Sequence, residues 1–235
     1  MISRISIVFI ALAAIIPHRG ISQQDNRTLD RTSDQEEVLE AFGYRVIGNG
    51  GKYYLDKEWR TTDIYFRSGL VVKDFPVRYD IEFNLLEIQI GDEIKVLPIG
   101  KLFKYEFLHA ETGRIIVHGS GRDFKTEHGT PVSGLCEIYE RGEWAVITNI
   151  NYSIKDPDYI KELDVGNKDE RLFLEKDKFL CINKIAYPLT TKKKDLINII
   201  GRESSEAKSY LEKEKLNPRR IEDLKVLVNY LDGDI

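Results

Sequence analysis

Residues 77–97 read VRYDIEFNLLEIQIGDEIKVL. Charged and apolar side chains alternate here almost without a break. A period of two is what an extended strand shows when one face meets a core and the other meets water. Val77, Tyr79, Ile81 and Phe83 point one way, and Arg78, Asp80 and Glu82 the other. The phase slips after Asn84-Leu85. Leu86, Ile88 and Ile90 then carry the apolar face, opposite Glu87 and Gln89. Gly91-Asp92 reads as a two-residue hairpin turn of type II′, which prefers Gly first. Ile94 and Val96 are expected to return on the same apolar face. On this reading the charges of the stretch face solvent and do no chemistry.

The same period runs outward from this stretch, over about Tyr44 to Ile154. Turn signals recur at short intervals: GNGG at 48–51, RSG at 67–69, ETG at 111–113 and RGE at 141–143. Strands spaced in this way predict antiparallel hairpins. One hairpin is KLFKYEFLHA–ETG–RIIVHGS. Another is LCEIYE–RGE–WAVITNINYSI, rich in the β-branched and aromatic residues that suit a pleated surface. Asp156-Pro157 predicts a single helical turn, and RLFLEKDKFLCI a further hairpin around Lys176-Asp177.

Helical spacing appears only at the two ends. SDQEEVLEAFG at 33–43 has Ser33 and Glu36 as a capping box and Gly43 as terminator. After Pro188, Leu196, Ile197, Ile199 and Ile200 precede Gly201, and Ala207, Tyr210 and Leu211 share a side. Ile221, Leu224, Val228 and Leu231 form a stripe behind an Asn217 cap and Pro218. The expected fold is mainly β (α+β): an antiparallel sandwich or partly open barrel with a short N-terminal helix and a C-terminal three-helix appendage. The expected divisions are 1–22 signal peptide, 23–32 flexible lead, 33–190 β-rich domain and 191–235 helical appendage. The appendage holds ten bases and nine acids. A near-neutral tail on an acidic body is expected to dock on that body, the alternative being an apolar stripe offered to a partner.

The N-terminus, MISRISIVFIALAAIIPHRGIS, has Arg4 ahead of a ten-residue apolar run, with Gly20 and Ser22 placed for cleavage. This pattern predicts an export signal and a periplasmic or cell-surface protein. The chain has 35 basic and 39 acidic residues. Loss of Arg4 and Arg19 leaves 33 and 39, a net charge of −6. With no basic block, that charge argues against nucleic acid as a partner. No later stretch approaches a membrane-spanning length. Cys136 and Cys181 lie in strand-like stretches that suit buried thiols, although an oxidising compartment would permit a bridge.

Few residues suggest chemistry. His109, His118 and His128 are the candidate metal ligands, with Glu127 as a base beside them. A zinc site would need the three imidazoles around one centre. Because His109 lies nearer the ETG turn than His118, the two are not directly opposed. Ser120 in HGSGRD lacks nucleophile-elbow spacing. Asp164, Asn167 and Asp169 lack the EF-hand pattern. Dispersed carboxylates, Asp80, Glu82, Glu87, Glu93, Glu106, Glu137 and Glu140, would serve a glycosidase only if two faced each other across a cleft. Trp59 and Trp144 are candidates to line a groove for sugar or peptide. No motif implies a cofactor.

GLVVKDFPVRYD at 69–80, LLEIQ at 85–89, GLCEIYERGE at 134–143 and EDLKVLVNYL at 222–231 resemble a group of uncharacterised exported β-rich proteins of Bacteroidota-type bacteria. The likeness covers most of residues 50–231. It implies a bacterial periplasmic or surface setting and carries over no activity or site residue.

The favoured expectation is a non-enzymatic binding or structural module with an envelope protein or glycan as partner. The alternatives are a metal-dependent or carboxylate-based hydrolase and a small-ligand carrier in a barrel mouth. Cleavage after Ser22 predicts a secreted chain that starts at Gln23, to be read by intact-mass spectrometry; a full-length mass on the exported protein would refute it.

Overall fold

The structure is a computed structural model that describes residues 27–33, 53–189, 192–201, 205–217 and 219–233. The helix expected over 33–43 and the GNGG turn at 48–51 lie outside the described residues. The strands are β1 (Thr28–Leu29), β2 (Arg60–Phe66), β3 (Val71–Asp80), β4 (Leu85–Ile90), β5 (Glu93–Pro98) and β6 (Leu102–His109). They continue with β7 (Arg114–Ser120), β8 (Lys125–Thr126), β9 (Leu135–Arg141), β10 (Trp144–Lys155), β11 (Arg171–Ile182) and β12 (Ile185–Pro188). The helices are α1 (Lys193–Gly201), α2 (Ser205–Lys213) and α3 (Ile221–Leu231). The protein is thus mainly β with three helices.

All twelve strands belong to one open sheet, in the order β5-β4-β3-β2-β6-β7-β9-β10-β11-β12-β8, with β1 beside β3. Every pairing is antiparallel except β1 with β3 and β8 with β12. The sheet coils. The Tyr152 hydroxyl of β10 donates to the Glu82 carbonyl, just beyond β3, at 3.3 Å. In a flat sheet those strands, five steps apart, would be separated by about 24 Å.

The hairpins at ETG and RGE form as expected, as does the β4–β5 turn. Gly91 has φ 58° and Asp92 does not enter positive φ, which fits a type II′ turn. The face assignment beyond that turn is corrected. A two-residue turn pairs Ile90 with Glu93, so Gln89 meets Ile94 and Glu87 meets Val96. Lys95 and Leu97 therefore join the core side opposite Ile88 and Leu86. Lys95 keeps its ammonium 3.1 Å from Glu93.

Three further expectations are corrected. The stretch around Lys176-Asp177 is no turn: β11 stays extended because all twelve of its residues pair with β10. Residues 156–160 hold no helical turn, and Ile160 bridges to Val165 instead. Helix α3 starts after Arg220, because Asn217 closes its own turn by accepting the Arg219 N–H at 3.0 Å. The supposed lead also contributes structure, since Leu29 of β1 is buried in the core.

Buried side chains form three clusters. One lies inside the curve of β2 to β6, around Ile64, Leu86, Ile88, Leu97 and Leu102. A second joins Val146 and Leu180 to Leu196, Ile200 and Leu211 and to Leu224, Leu227 and Val228. A third, around Phe124, Ile147, Cys136 and Cys181, lies on the opposite face. Helices of 9, 9 and 11 residues are too short to persist alone. Burial against the sheet, worth about 1.5–3 kcal/mol per large apolar side chain, is what holds them. Tyr139 donates to Asn229 at 2.7 Å, and Arg114 pairs with Glu222. Gly142, at φ 51°, lets the end of α3 approach so closely that a Cβ there would overlap the Asp232 carboxylate.

Leu227 is fully buried between α3 and the sheet. Leu227→Ala is expected to cost about 2–5 kcal/mol in urea denaturation; a loss under about 0.5 kcal/mol, the range of surface substitutions, would mean that the tail is not docked.

Candidate functional site

The charges of the opening stretch do not all face water. Asp80 is 2% and Glu87 5% exposed. The Arg78 guanidinium donates to Glu87 at 2.7 Å, and the Tyr54 hydroxyl donates to the other Glu87 oxygen at 3.1 Å. Arg78 also stacks on Tyr54 at 4.0 Å and on Trp59 at 4.4 Å. Asp80 accepts the Phe83 N–H at 3.0 Å and so closes the β3–β4 turn. The expectation that Arg78, Asp80 and Glu87 lie in solvent is therefore corrected. Residues 53–55 run antiparallel beside the end of β3, where the Leu55 N–H bonds to the Tyr79 carbonyl and the Ile81 N–H to the Tyr53 carbonyl, and this brings the Tyr54 ring, with that of Trp59, over Arg78. A buried carboxylate is tolerable only when its lone pairs are matched, and Arg78 with Tyr54 supplies that.

Beside this cluster lies a groove of about 600 Å³, lined among others by Trp59, Arg60, Asp63, Asp74, Glu106 and Leu108. Asp63 of β2 and Glu106 of β6 are directly opposed. Like charges so placed repel, and each is managed differently. Glu106 accepts from Tyr65 and from Lys104, both at 2.7 Å. Burial raises its pKa, but these two bonds outweigh that and hold it below the usual carboxylate value. Asp63 accepts the Asp74 N–H at 3.1 Å. Asp74 sits at φ 61°, opposite the register shift between Thr62 and Ile64. Such irregularities re-aim side chains at sheet edges and sites. Leu108 and Ile115, paired across β6 and β7, are 66% and 65% exposed at the groove's rim.

The candidate histidines are not brought together. His118 pairs with Tyr105, and His109 with Arg114. Four residues along a strand separate them by about 13 Å, whereas two nitrogens on one zinc lie within about 4 Å of each other. His128 and Glu127 sit in an exposed turn. His118 is buried flat against Tyr105, at 5.0 Å, and Phe107, at 5.8 Å. Its Nδ1 has no hydrogen-bond partner among the described residues, and burial pushes its pKa down to about 4. Ser120 is fully buried two residues along the same face, about 7 Å away, beyond hydrogen-bonding reach.

The other candidates have structural places. In the 156–170 loop Asp158, rather than Asp164 or Asp169, is the organiser: it accepts the Asn167 N–H at 2.7 Å and binds Lys155 at 2.9 Å. Trp144 packs beneath the helices, so of the two tryptophans Trp59 alone reaches the groove. Cys136 and Cys181 are free and buried, and burial raises the Cys136 thiol to about 11. Among the described residues, no three His, Cys, Asp or Glu side chains stand where they could share a metal ion.

Sequence reasoning missed Asp63 and Asp74. Asp63 breaks the apolar run of TTDIYF, a local signal, but its pairing with Glu106 follows from β2–β6 adjacency over forty residues of chain, which no spacing records. Comparison with protein-family models, with curated proteins and with solved structures finds no match.

The His118 pKa sets a pH dependence. Unfolded histidine titrates near 6.5 and the folded group near 4. Between those values the unfolded state binds the extra proton, so stability falls as pH falls, by about 3 kcal/mol in all. Above pH 6.5 this group contributes no slope. His118→Phe should remove that loss, so the stability gap between variant and wild type, read by urea denaturation, should grow in the variant's favour from pH 7 to pH 4. An unchanged gap would show that His118 is not buried neutral.

Proposed function

We propose that this chain is an exported, non-enzymatic binding module of the cell envelope, and that it takes a glycan in the groove beside Trp59. The observation that carries this reading is the composition of the groove. An indole and aliphatic side chains supply an apolar wall, while Asp63, Glu106 and Arg60 supply acceptors and a donor along one side. Ligand pockets combine these features: apolar area for affinity and a few placed polar groups for orientation. Arg78 stacks on the Trp59 ring, which stiffens the indole as a platform. A saccharide has an apolar C–H face for such a ring and hydroxyl pairs for carboxylates.

The lowered pKa of Glu106 favours binding over hydrolysis. The opposed pair Asp63 and Glu106 is what a carboxylate-based hydrolase would use, but a general acid needs a raised pKa. Glu106 is held ionised by Lys104 and Tyr65, which suits an acceptor. A carrier that stores its ligand beside Tyr79 and Tyr105 has less support, since the void there is about 10 Å³, room for about one water. On this reading the coiled sheet is a partly open barrel with the ligand outside it. The Tyr152–Glu82 contact supports that shape.

Calorimetry against a panel of bacterial envelope oligosaccharides tests the assignment. Binding should weaken at least about tenfold, roughly 1.4 kcal/mol, on Trp59→Ala and on Asp63→Asn, with Trp59→Phe intermediate. No binding across the panel, binding indifferent to these changes, or turnover of any panel member would each overturn it.

A further inference from the structure

Strands β10 and β11 pair over twelve residues. However, β9 accompanies β10 only from Trp144 to Ile150, and β12 accompanies β11 only from Phe179 to Ile182. Asn151 to Lys155 and Arg171 to Glu175 therefore leave the sheet as a two-stranded ribbon, and the β11 edge stays without a strand partner as far as Lys178. Among the described residues no strand covers either of its edges. One face of the ribbon is apolar, with Tyr152, Ile154 and Leu174 37%, 41% and 42% exposed, and the other carries Phe173, 46% exposed, among polar residues. A bare two-stranded ribbon is marginal in water, and a free apolar edge is a template for another strand.

We propose that this chain forms a two-fold dimer in which the β11 edge pairs antiparallel with β11 of a second copy, the axis passing beside Phe173. The backbone is disposed for it. The Lys178 carbonyl accepts the Leu189 N–H at 2.8 Å on the β12 side. Amide groups alternate between the two edges of a strand, so Lys176, Leu174 and Leu172 present theirs on that same, uncovered side. With the axis at Phe173, Leu172 and Leu174 of opposite copies exchange backbone hydrogen bonds. The two Phe173 rings then meet at the close, non-hydrogen-bonded pair.

The side chains choose the register. About Phe173, Arg171 stands opposite Glu175 of the second copy, and by symmetry this happens twice. Moving the axis to Leu172 would set Phe173 against Arg171 and Leu174 against Glu170. Moving it to Leu174 would set Phe173 against Glu175 and Leu172 against Lys176. Only the Phe173 register matches apolar with apolar and opposite charges with each other along Arg171 to Glu175. Both charges are available. Arg171 is exposed and lies 5.7 Å from the Phe173 ring, with no carboxylate partner among the described residues, and Glu175 accepts the Ser153 hydroxyl at 2.8 Å. A heterologous envelope protein adding its own strand would have no reason to meet a self-complementary charge pattern.

Sedimentation velocity of the purified protein over about 1–100 µM tests the dimer. The wild type should show a concentration-dependent monomer–dimer equilibrium. Glu175→Arg sets Arg against Arg at both ends and should raise the dissociation constant at least about tenfold. Arg171→Glu combined with Glu175→Arg restores opposite pairs and should restore the wild-type constant. These side chains are solvent-exposed, so circular dichroism, and the melting temperature read below the dissociation constant, should match wild type in both variants. A wild type monomeric throughout, a dimer indifferent to Glu175→Arg, or a double variant that stays dissociated would each overturn the proposal.

Discussion

Strand β10 is the constraint on which the rest of the molecule depends. Its residues belong to all three buried clusters: Val146 to the helix-facing one, Ala145 and Ile147 to the opposite one, and Ile150 to the interior of the curve. Alternation along one strand thus feeds two faces, and the coil of the sheet turns one face into two separate cores. Such a strand tolerates no register slip, because a shift of one residue would exchange every side chain between faces. Its pairing with β11 over twelve residues and with β9 over seven holds that register. The same pairing keeps Lys176 and Asp177 extended although their composition suggests a turn.

The helices follow from β10 rather than standing beside it. Val146 and Leu180 provide the floor on which Leu224, Leu227 and Val228 rest. Polar contacts then set the pose: Tyr139 with Asn229, and Arg114 with Glu222. Where β10 and β11 run past β9 and β12, no strand among the described residues accompanies them. Tyr152, Ile154, Phe173 and Leu174 are partly exposed there.

At the other end of the sheet the governing effect is electrostatic. Arg78 and Glu87 are stable out of water because each is matched, by the other and by Tyr54 and Trp59. That arrangement places Trp59 beside Asp63 and Glu106. In the same small region, one acid–base pair holds the scaffold together while the opposed pair Asp63 and Glu106 faces the groove. The difference lies in what covers them: the side chains of Tyr54 and Trp59 lie over the first pair and leave the second open.

The sequence by itself determined the strands and hairpins whose period and turn residues are local: β4–β5 at Gly91-Asp92, β6–β7 at ETG and β9–β10 at RGE. It also determined the apolar stripes on α1 and α3. These follow from side-chain alternation and backbone preference over a few residues, and neighbours in the chain suffice to specify them. Tertiary structure alone decided which polar face stays wet, because burial of Arg78 and Glu87 depends on a segment twenty residues upstream. It decided the meeting of Asp63 with Glu106, and it kept His118 apart from His109 and His128. It also turned the KD dipeptide at 176–177 from a turn into a strand. In each of these the deciding energy comes from contacts between residues far apart in the chain, and the order of residues holds no local trace of such contacts.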